Sequence, residues 1–274
     1  MLHQEILTGE LLNQKATHVR KRILEIIYRA KGGHTGGALS SVDILTSLYF
    51  SILKVDPAQP RLKNRDRFIL SKGHSVEALY CILAEAGFIP DELLDSYGKL
   101  NSILAGHPTI KVPGIEFCSG ALGHGLSVGV GMALAAKMEN EGSRVYVLMG
   151  DGEQGEGSIY EAAMSASHYK LDNLIAIIDR NKLQISGNTE DVMAIDPIKE
   201  RWESLGWKAL ECDGHNMGQL NSIFQSIPIQ VGKPHLVIAH TIKGKGVSFM
   251  ENQAKWHHGV PNAEQFAWAI KELE

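Results

Sequence analysis

Two periods organise the hydrophobic positions of this chain. Short runs that are apolar almost throughout occur at 68–70, 145–149, 174–178 and 234–240. Such runs read as strands buried on both faces, as in a parallel sheet. A further strand is expected at 207–212. Between the runs, apolar stripes at helical spacing predict helices. The first covers 10–31, with Val19, Ile23, Ile26 and Ile27 on one face, and stops at Gly32-Gly33. Others are expected at 41–53, from His74 to 86, from about 125 to 140, at 158–169 and 198–205, before 227, and at 261–273. Asp43 is expected in the first turn of the second, where a carboxylate suits the helix dipole. Residues 187–196 read as a loop. Strands alternating with helices predict a three-layer α/β/α arrangement with a mainly parallel sheet, as one domain over 1–274.

The stretch 150–186 forms one strand, turn, helix, strand, turn unit of βαβ size. A right-handed crossover brings both turns to the same sheet edge. Asp151 and Asn181 are 30 residues apart in sequence, yet can meet there. An Asp carboxylate, an Asn amide oxygen and a nearby main-chain carbonyl are hard oxygen donors. They suit Mg²⁺ or Ca²⁺ and leave positions open for phosphate oxygens. Gly150 and Gly152 let backbone N–H groups approach an anion, and the following helix points its N-terminus there. The edge reads as a metal–diphosphate site at the carboxyl ends of parallel strands.

Composition narrows the classes. At 274 residues and 44% apolar, the chain has ample material for a core. A net charge of −4 gives no basic footprint for nucleic acid or an anionic membrane. Cys81, Cys118 and Cys212 form neither a metal-type pair nor a disulfide spacing, which suits a reducing cytoplasm. No run approaches the ~20 apolar residues of a membrane span. No Gly-x-Gly-x-x-Gly follows the first strand, which disfavours a nicotinamide dinucleotide.

Histidines recur in glycine-rich loops. His34 lies in Gly32-Gly33-His34-Thr35-Gly36-Gly37, His74 follows Gly73, and His107 follows Gly106. Each alone reads as readily as a surface or hinge residue as a side chain presented into a cleft. Three together point to a shared cleft. His124 and His215 read as capping or structural. The helix after Gly123 carries Gly125, Gly129 and Gly131, each costing ~0.5–1 kcal/mol relative to Ala. Close packing against the sheet or a partner subunit would offset that.

Taken together these segments resemble the transketolases, which use thiamine diphosphate. The matching stretches are GGHTGG, RDRFILSKGHSVEALY, AGHP, and GDG-x-x-x-EG followed by DRNKLQISG. The resemblance implies thiamine diphosphate with Mg²⁺ or Ca²⁺, the metal being held by Asp151, Asn181 and the carbonyl of Leu183. It places Gly150, Gly152, Gly120, Leu122 and Lys243 at the cofactor, and His74 between cofactor and substrate. It implies that His34 and His257 meet the reacting hydroxyl of the sugar donor and His107 its terminal hydroxyl. Glu156 matches a carboxylate that links two cofactor sites across a subunit interface. One segment departs from the family pattern Trp-His-Gly-x-x-Pro. Aligned on Trp256 and Pro261, the substrate-facing residue is His257, and His258 takes the Gly position. Aligned on Gly259, it is His258.

The implied activity is transfer of a two-carbon ketol unit from a ketose phosphate to an aldose phosphate. The resemblance covers nearly all of this chain but only the leading part of a full transketolase. The family's second domain grips the aminopyrimidine ring and supplies the Glu that activates the cofactor. The expectation is therefore a split, cytoplasmic enzyme, completed by a C-terminal subunit with the pyrimidine-binding domain in an α₂β₂ assembly. An α subunit of a 2-oxo-acid dehydrogenase is a second reading, against which the His segments weigh. A non-catalytic nucleotide- or cofactor-binding protein is a third.

Overall fold

Strands with no polar face must be covered on both sides, and the sheet is built that way. The computed structural model describes residues 9–274. In chain order the elements are α1 (Glu10–Ala30), α2 (Thr35–Ser47), β1 (Arg67–Leu70), α3 (Val76–Glu85), α4 (His124–Met138), β2 (Val145–Gly150), α5 (Gly157–His168), β3 (Leu174–Arg180), the two-residue strands β4 (Leu183–Gln184) and β5 (Gly187–Asn188), α6 (Thr189–Val192), α7 (Ile198–Ser204), β6 (Lys208–Asp213), α8 (Met217–Ser226), β7 (His235–His240) and α9 (Ala263–Glu272). The main sheet has the order β1-β2-β3-β7-β6 with every pair parallel. Alternate residues serve opposite layers. Tyr146, Leu148, Ile175 and Ile177 pack with residues of α1, α2, α3 and α8. Val145, Val147, Met149, Leu174, Ala176 and Ile178 pack with residues of α4, α5 and α7. Each fully buried large aliphatic side chain contributes about 1.5–3 kcal/mol relative to exposure. The expected three-layer α/β architecture is observed.

Two of the three glycines of α4, Gly125 and Gly129, have a packing cause. A Cβ on Gly129 would lie 2.6 Å from Val147 Cγ2, and one on Gly125 would lie 2.4 Å from Ser71 Oγ. The helix sits closer to the sheet than any larger residue allows.

Two sequence expectations are corrected. The second helix begins at Thr35, six residues before the expected start at Ser41. Its first turn includes Gly36 and Gly37, which helix propensity disfavours. They are required because a Cβ on Gly36 would lie 2.9 Å from Trp256 O and one on Gly37 2.8 Å from Ser75 Oγ; tertiary contact overrides propensity. Asp43 consequently lies mid-helix rather than in the first turn. It is buried and pairs with Arg20 and with His215 Nδ1 at 2.6 Å. Residues 187–196 are not a plain loop. They hold β5, paired antiparallel with β4, and α6. Arg180 fastens this segment through Glu190 at 2.7 Å and Asp196 at 3.0 Å. Among the described residues no helix is long and apolar enough to cross a membrane, and all three cysteines are free.

Candidate cofactor and active site

Strand register assembles the site. Gly150 pairs with Asp179 across β2 and β3, so Asp151 emerges beside 180–182. Its Oδ2 accepts the Lys182 N–H at 2.6 Å and its Oδ1 the Gly152 N–H at 2.8 Å. Arg180 pairs with His240 across β3 and β7, which brings the segment 241–246 alongside. Asn181 Nδ2 donates to Asp179 Oδ2 at 3.3 Å, and Asn181 Oδ1 accepts the Leu183 N–H at 3.1 Å. The Leu183 carbonyl accepts from Lys243 Nζ at 3.1 Å.

These groups fit a hard divalent cation. Among the described residues no three His, Cys, Asp or Glu side chains form a metal cluster. The oxygen set is instead one carboxylate, one amide and one main-chain carbonyl, the donor chemistry that Mg²⁺ or Ca²⁺ takes when phosphate completes the shell. Burial, with Asp179 nearby, pushes the Asp151 carboxyl up, and Arg180 at 3.3 Å only partly offsets this. A buried carboxylate short of positive charge is what a bound cation would satisfy.

Beneath these ligands lies a buried ion pair that sequence reading did not single out. Lys72 Nζ binds Asp179 Oδ2, the Gly37 carbonyl at 3.1 Å and Ser41 Oγ at 3.0 Å. Ser40 and Thr241 also donate to Asp179. Burial pushes Asp179 up, but the Lys72 ammonium and the Ser40 and Thr241 hydroxyls together outweigh it and hold the carboxyl below the usual range. Glu153 was missed too. Its carboxylate is buried and accepts from Gly123 N–H at 2.8 Å, Gly150 N–H at 3.0 Å and Ser71 Oγ, which joins three loops under the cavity. Lys72 stands two places before His74 at a strand end, which was its one available sequence signal.

A cavity of about 330 Å³ opens over this floor. Of the residues expected at the site, His34, His74, Gly120, Leu122, Gly150, Asp151, Gly152, Asn181, Leu183, Lys243 and His257 line it. Gly37, Lys72, Glu153 and the hairpin residues 184–186 complete the wall. Two expected residues do not line it. His107 is exposed beside the rim, its ring 6.1 Å from that of His34. Glu156 is exposed at the start of α5.

His34 is the hub of an imidazole cluster, with ring centroids 4.5 Å from His258, 5.4 Å from His74 and 5.7 Å from His257. Burial, then the neighbouring His258, His107 and lysines, lowers His34 to about 4. Burial and Lys243 lower His257 to about 3. Burial and Lys72 hold His74 well below its ordinary value. All three are neutral at pH 7. Burial and Lys72 also draw Lys243 down to about 8.

One helix holds two of these loops by their main chains. On α3, Glu77 is fully buried, and its Oε1 accepts the His34 N–H at 2.9 Å and the Tyr97 O–H at 2.6 Å. One turn on, the Tyr80 O–H donates to the carbonyls of Ala105 at 3.0 Å and His107 at 3.2 Å.

The family model for "Transketolase, thiamine diphosphate binding domain" matches residues 12–272. The chain belongs to the transketolase family. Its likeness to that domain gives thiamine diphosphate as the cofactor. It is 59% identical over 264 residues to a subunit of the apulose-4-phosphate transketolase of Phocaeicola vulgatus, covering 96% of this chain and 94% of that one. It is 47% identical to the subunit of the same name from Actinobacillus succinogenes, covering 98% of each. Among solved structures, the transketolase of Campylobacter jejuni superposes with a TM-score of 0.92 at 32% identity, covering 97% of this chain and 43% of that one. The chain thus spans the length of the two related subunits but under half of that solved transketolase.

Proposed function

We propose that this chain is the diphosphate-binding subunit of a split, cytoplasmic transketolase. It transfers a two-carbon ketol unit from a ketose phosphate to an aldose phosphate. It works only with a C-terminal subunit carrying the pyrimidine-binding domain, in an α₂β₂ assembly. The observation that carries this reading is that the oxygen donors Asp151, Asn181 and Leu183 share one cavity with three neutral imidazoles. The names of the two relatives support a partner subunit and favour apulose 4-phosphate as donor.

Thiamine diphosphate, when bound, would supply the chemistry by which the carbon–carbon bond is broken and formed. This chain does the rest of its half. Asp151, Asn181 and the Leu183 carbonyl would hold Mg²⁺ or Ca²⁺. Gly150 and Gly152 keep the backbone close to the diphosphate, and Lys72 and Lys243 place positive charge in the same cavity. Gly120 and Leu122 wall the ring side. His34 and His257, neutral at pH 7, hydrogen-bond the donor's reacting hydroxyl. His74 bridges cofactor and substrate, and His107 meets the far hydroxyl from the rim. Glu156, exposed at the head of α5, faces a second copy.

The test is an assay of the complex isolated from its host, with Mg²⁺, thiamine diphosphate, apulose 4-phosphate and ribose 5-phosphate. Transfer is expected from the complex and none from this chain alone. Robust turnover by the single chain would refute the split reading. Asp151→Ala is expected to fold and to lose Mg²⁺-dependent cofactor binding; unchanged binding would remove the metal assignment.

A further inference from the structure

The loop that carries Lys243 is held by three residues that do not line the cavity. The Ile242 N–H donates to His215 Nε2 at 2.8 Å. An amide N–H can only donate, so this nitrogen is bare and the ring's proton sits on Nδ1. Nδ1 in turn donates to Asp43 Oδ2 at 2.6 Å. Arg20 Nη1 donates to Asp43 Oδ1 at 3.2 Å, and Arg20 also pairs with Oδ2. The carboxylate sets the tautomer of the imidazole, and the tautomer makes Nε2 an acceptor toward the loop. Arg20 and Asp43 are buried, and the His215 side chain is only 12% exposed. In this arrangement the imidazole has spent both its donor and its acceptor.

The relay touches the loop at both ends. Next to His215, a Cβ on Gly214 would lie 2.5 Å from Thr241 Cγ2. At the far end, Gly246 has φ +95°, and a Cβ there would lie 3.1 Å from Arg20 Cδ. Between these points stands Lys243. Its Nζ donates to the Leu183 carbonyl at 3.1 Å and to His257 Nδ1 at 2.9 Å. A lysine stem is long and has many rotamers, so where its ammonium arrives depends on where the backbone beneath it is held. That backbone is fixed by a residue of α1, a residue of α2 and the turn between β6 and α8. Arg20, Asp43 and His215 thus reach the cavity only through Lys243 and its neighbours.

We propose that His215 is a positioning residue: through the Ile242 amide it holds Lys243 where the ammonium reaches the Leu183 carbonyl and His257, and so sets the affinity of the cavity for Mg²⁺–thiamine diphosphate. Asp43 and Arg20 keep His215 in the tautomer this requires. The inference rests on the cofactor reading above. A triad that only knitted α1, α2 and the β6–α8 turn together would change melting and leave cofactor affinity alone.

The experiment separates the two bonds of the imidazole. His215→Gln puts an amide oxygen near the Nε2 position and keeps an acceptor for Ile242. His215→Asn puts an amide N–H near the Nδ1 position and keeps the donor to Asp43. Both are made in the complex isolated from its host. Mg²⁺–thiamine diphosphate affinity is read by fluorescence titration, beside melting without cofactor. Each variant loses one bond and is expected to melt below wild type. His215→Asn is expected to weaken cofactor affinity by about 3- to 10-fold, the worth of one hydrogen bond, and His215→Gln by less than about 2-fold. In a Lys243→Met background, His215→Asn is expected to cost no further affinity. Equal affinities in the two variants overturn the inference, and so does an undiminished effect of His215→Asn in the Lys243→Met background. Hydrogen exchange of the wild-type chain needs no variant to fold: the Ile242 amide is expected to exchange slowly, and fast exchange there overturns the inference too. A wild-type complex that binds no Mg²⁺–thiamine diphosphate overturns the cofactor reading as well, whereas the other failures leave that reading standing.

Discussion

Replacing Lys72 by methionine removes the only ammonium bound to Asp179 among the described residues. The side chains of both partners are at most 2% exposed. Methionine fills nearly the same volume, so the change is mainly electrostatic. Asp179 keeps donors from Ser40, Thr241 and Asn181 but loses its countercharge, with Asp151 close enough to raise the cost. Breaking a buried pair from one side costs about 3–5 kcal/mol, because a charge remains without compensation. At roughly 2–4 °C per kcal/mol for a domain of this size, Lys72→Met is expected to melt roughly 10 °C lower. The double variant Lys72→Met/Asp179→Asn removes the stranded charge and is expected to recover more than half of the loss. Urea denaturation of wild type, both single variants and the double variant, without Mg²⁺, closes the cycle. A Lys72→Met protein within about 1 kcal/mol of wild type would refute the reasoning. A double variant no more stable than Lys72→Met would refute it equally.

Other consequences are open to measurement. His235 is fully buried, accepts N–H groups from Ile229 at 3.0 Å and Gln230 at 3.4 Å, and is lowered by burial to about 4. The unfolded chain takes up a proton near pH 6.5 that the folded chain refuses until about 4. Stability is therefore lost as pH falls through that window, and His235→Gln is expected to lose about 1–2 kcal/mol less than wild type between pH 7 and pH 5; parallel stability curves would sink this. On α4, Gly129→Ala drives a Cβ to 2.6 Å from Val147 and is expected to cost about 1–3 kcal/mol. Gly131 meets nothing within 4 Å, so Gly131→Ala is expected to stabilise the isolated chain by about 0.5–1 kcal/mol. Equal effects at the two positions would show that the close approach to the sheet is not what selects glycine.

What was legible in the sequence was what strand topology dictates. The apolar runs identified β2, β3 and β7, and the two polar turns after β2 and β3 necessarily share an edge, so Asp151 and Asn181 could be paired before any coordinates. Two of the glycine-flanked histidines, His34 and His74, line the cavity as expected. What was not legible depends on distant partners. Lys72 and Asp179 are 107 residues apart, and nothing local marks either as half of a pair. Glu153 follows a recognisable Asp-Gly, yet its carboxylate is spent on the distant Ser71 and Gly123 as well as on Gly150. The start of α2 was misplaced because Gly36 and Gly37 look like a break, whereas contacts with Trp256 and Ser75 require small residues within a helix. His107 and Glu156 are both exposed and do not line the cavity.

The grip of α3 on its neighbours has an evolutionary consequence. Glu77 and Tyr80 hold main-chain groups of residues 34, 105 and 107, never their side chains. The scaffold is thus indifferent to which side chains those positions carry. A lineage can exchange the imidazoles at 34 and 107 for other groups without rebuilding either loop, and so try new sugars at little cost to folding. Glu77 and Tyr80 are under the opposite constraint: a change at either disturbs a loop whatever the substrate. Recruitment to a new carbon source is expected to leave α3 alone and to rewrite the residues it displays.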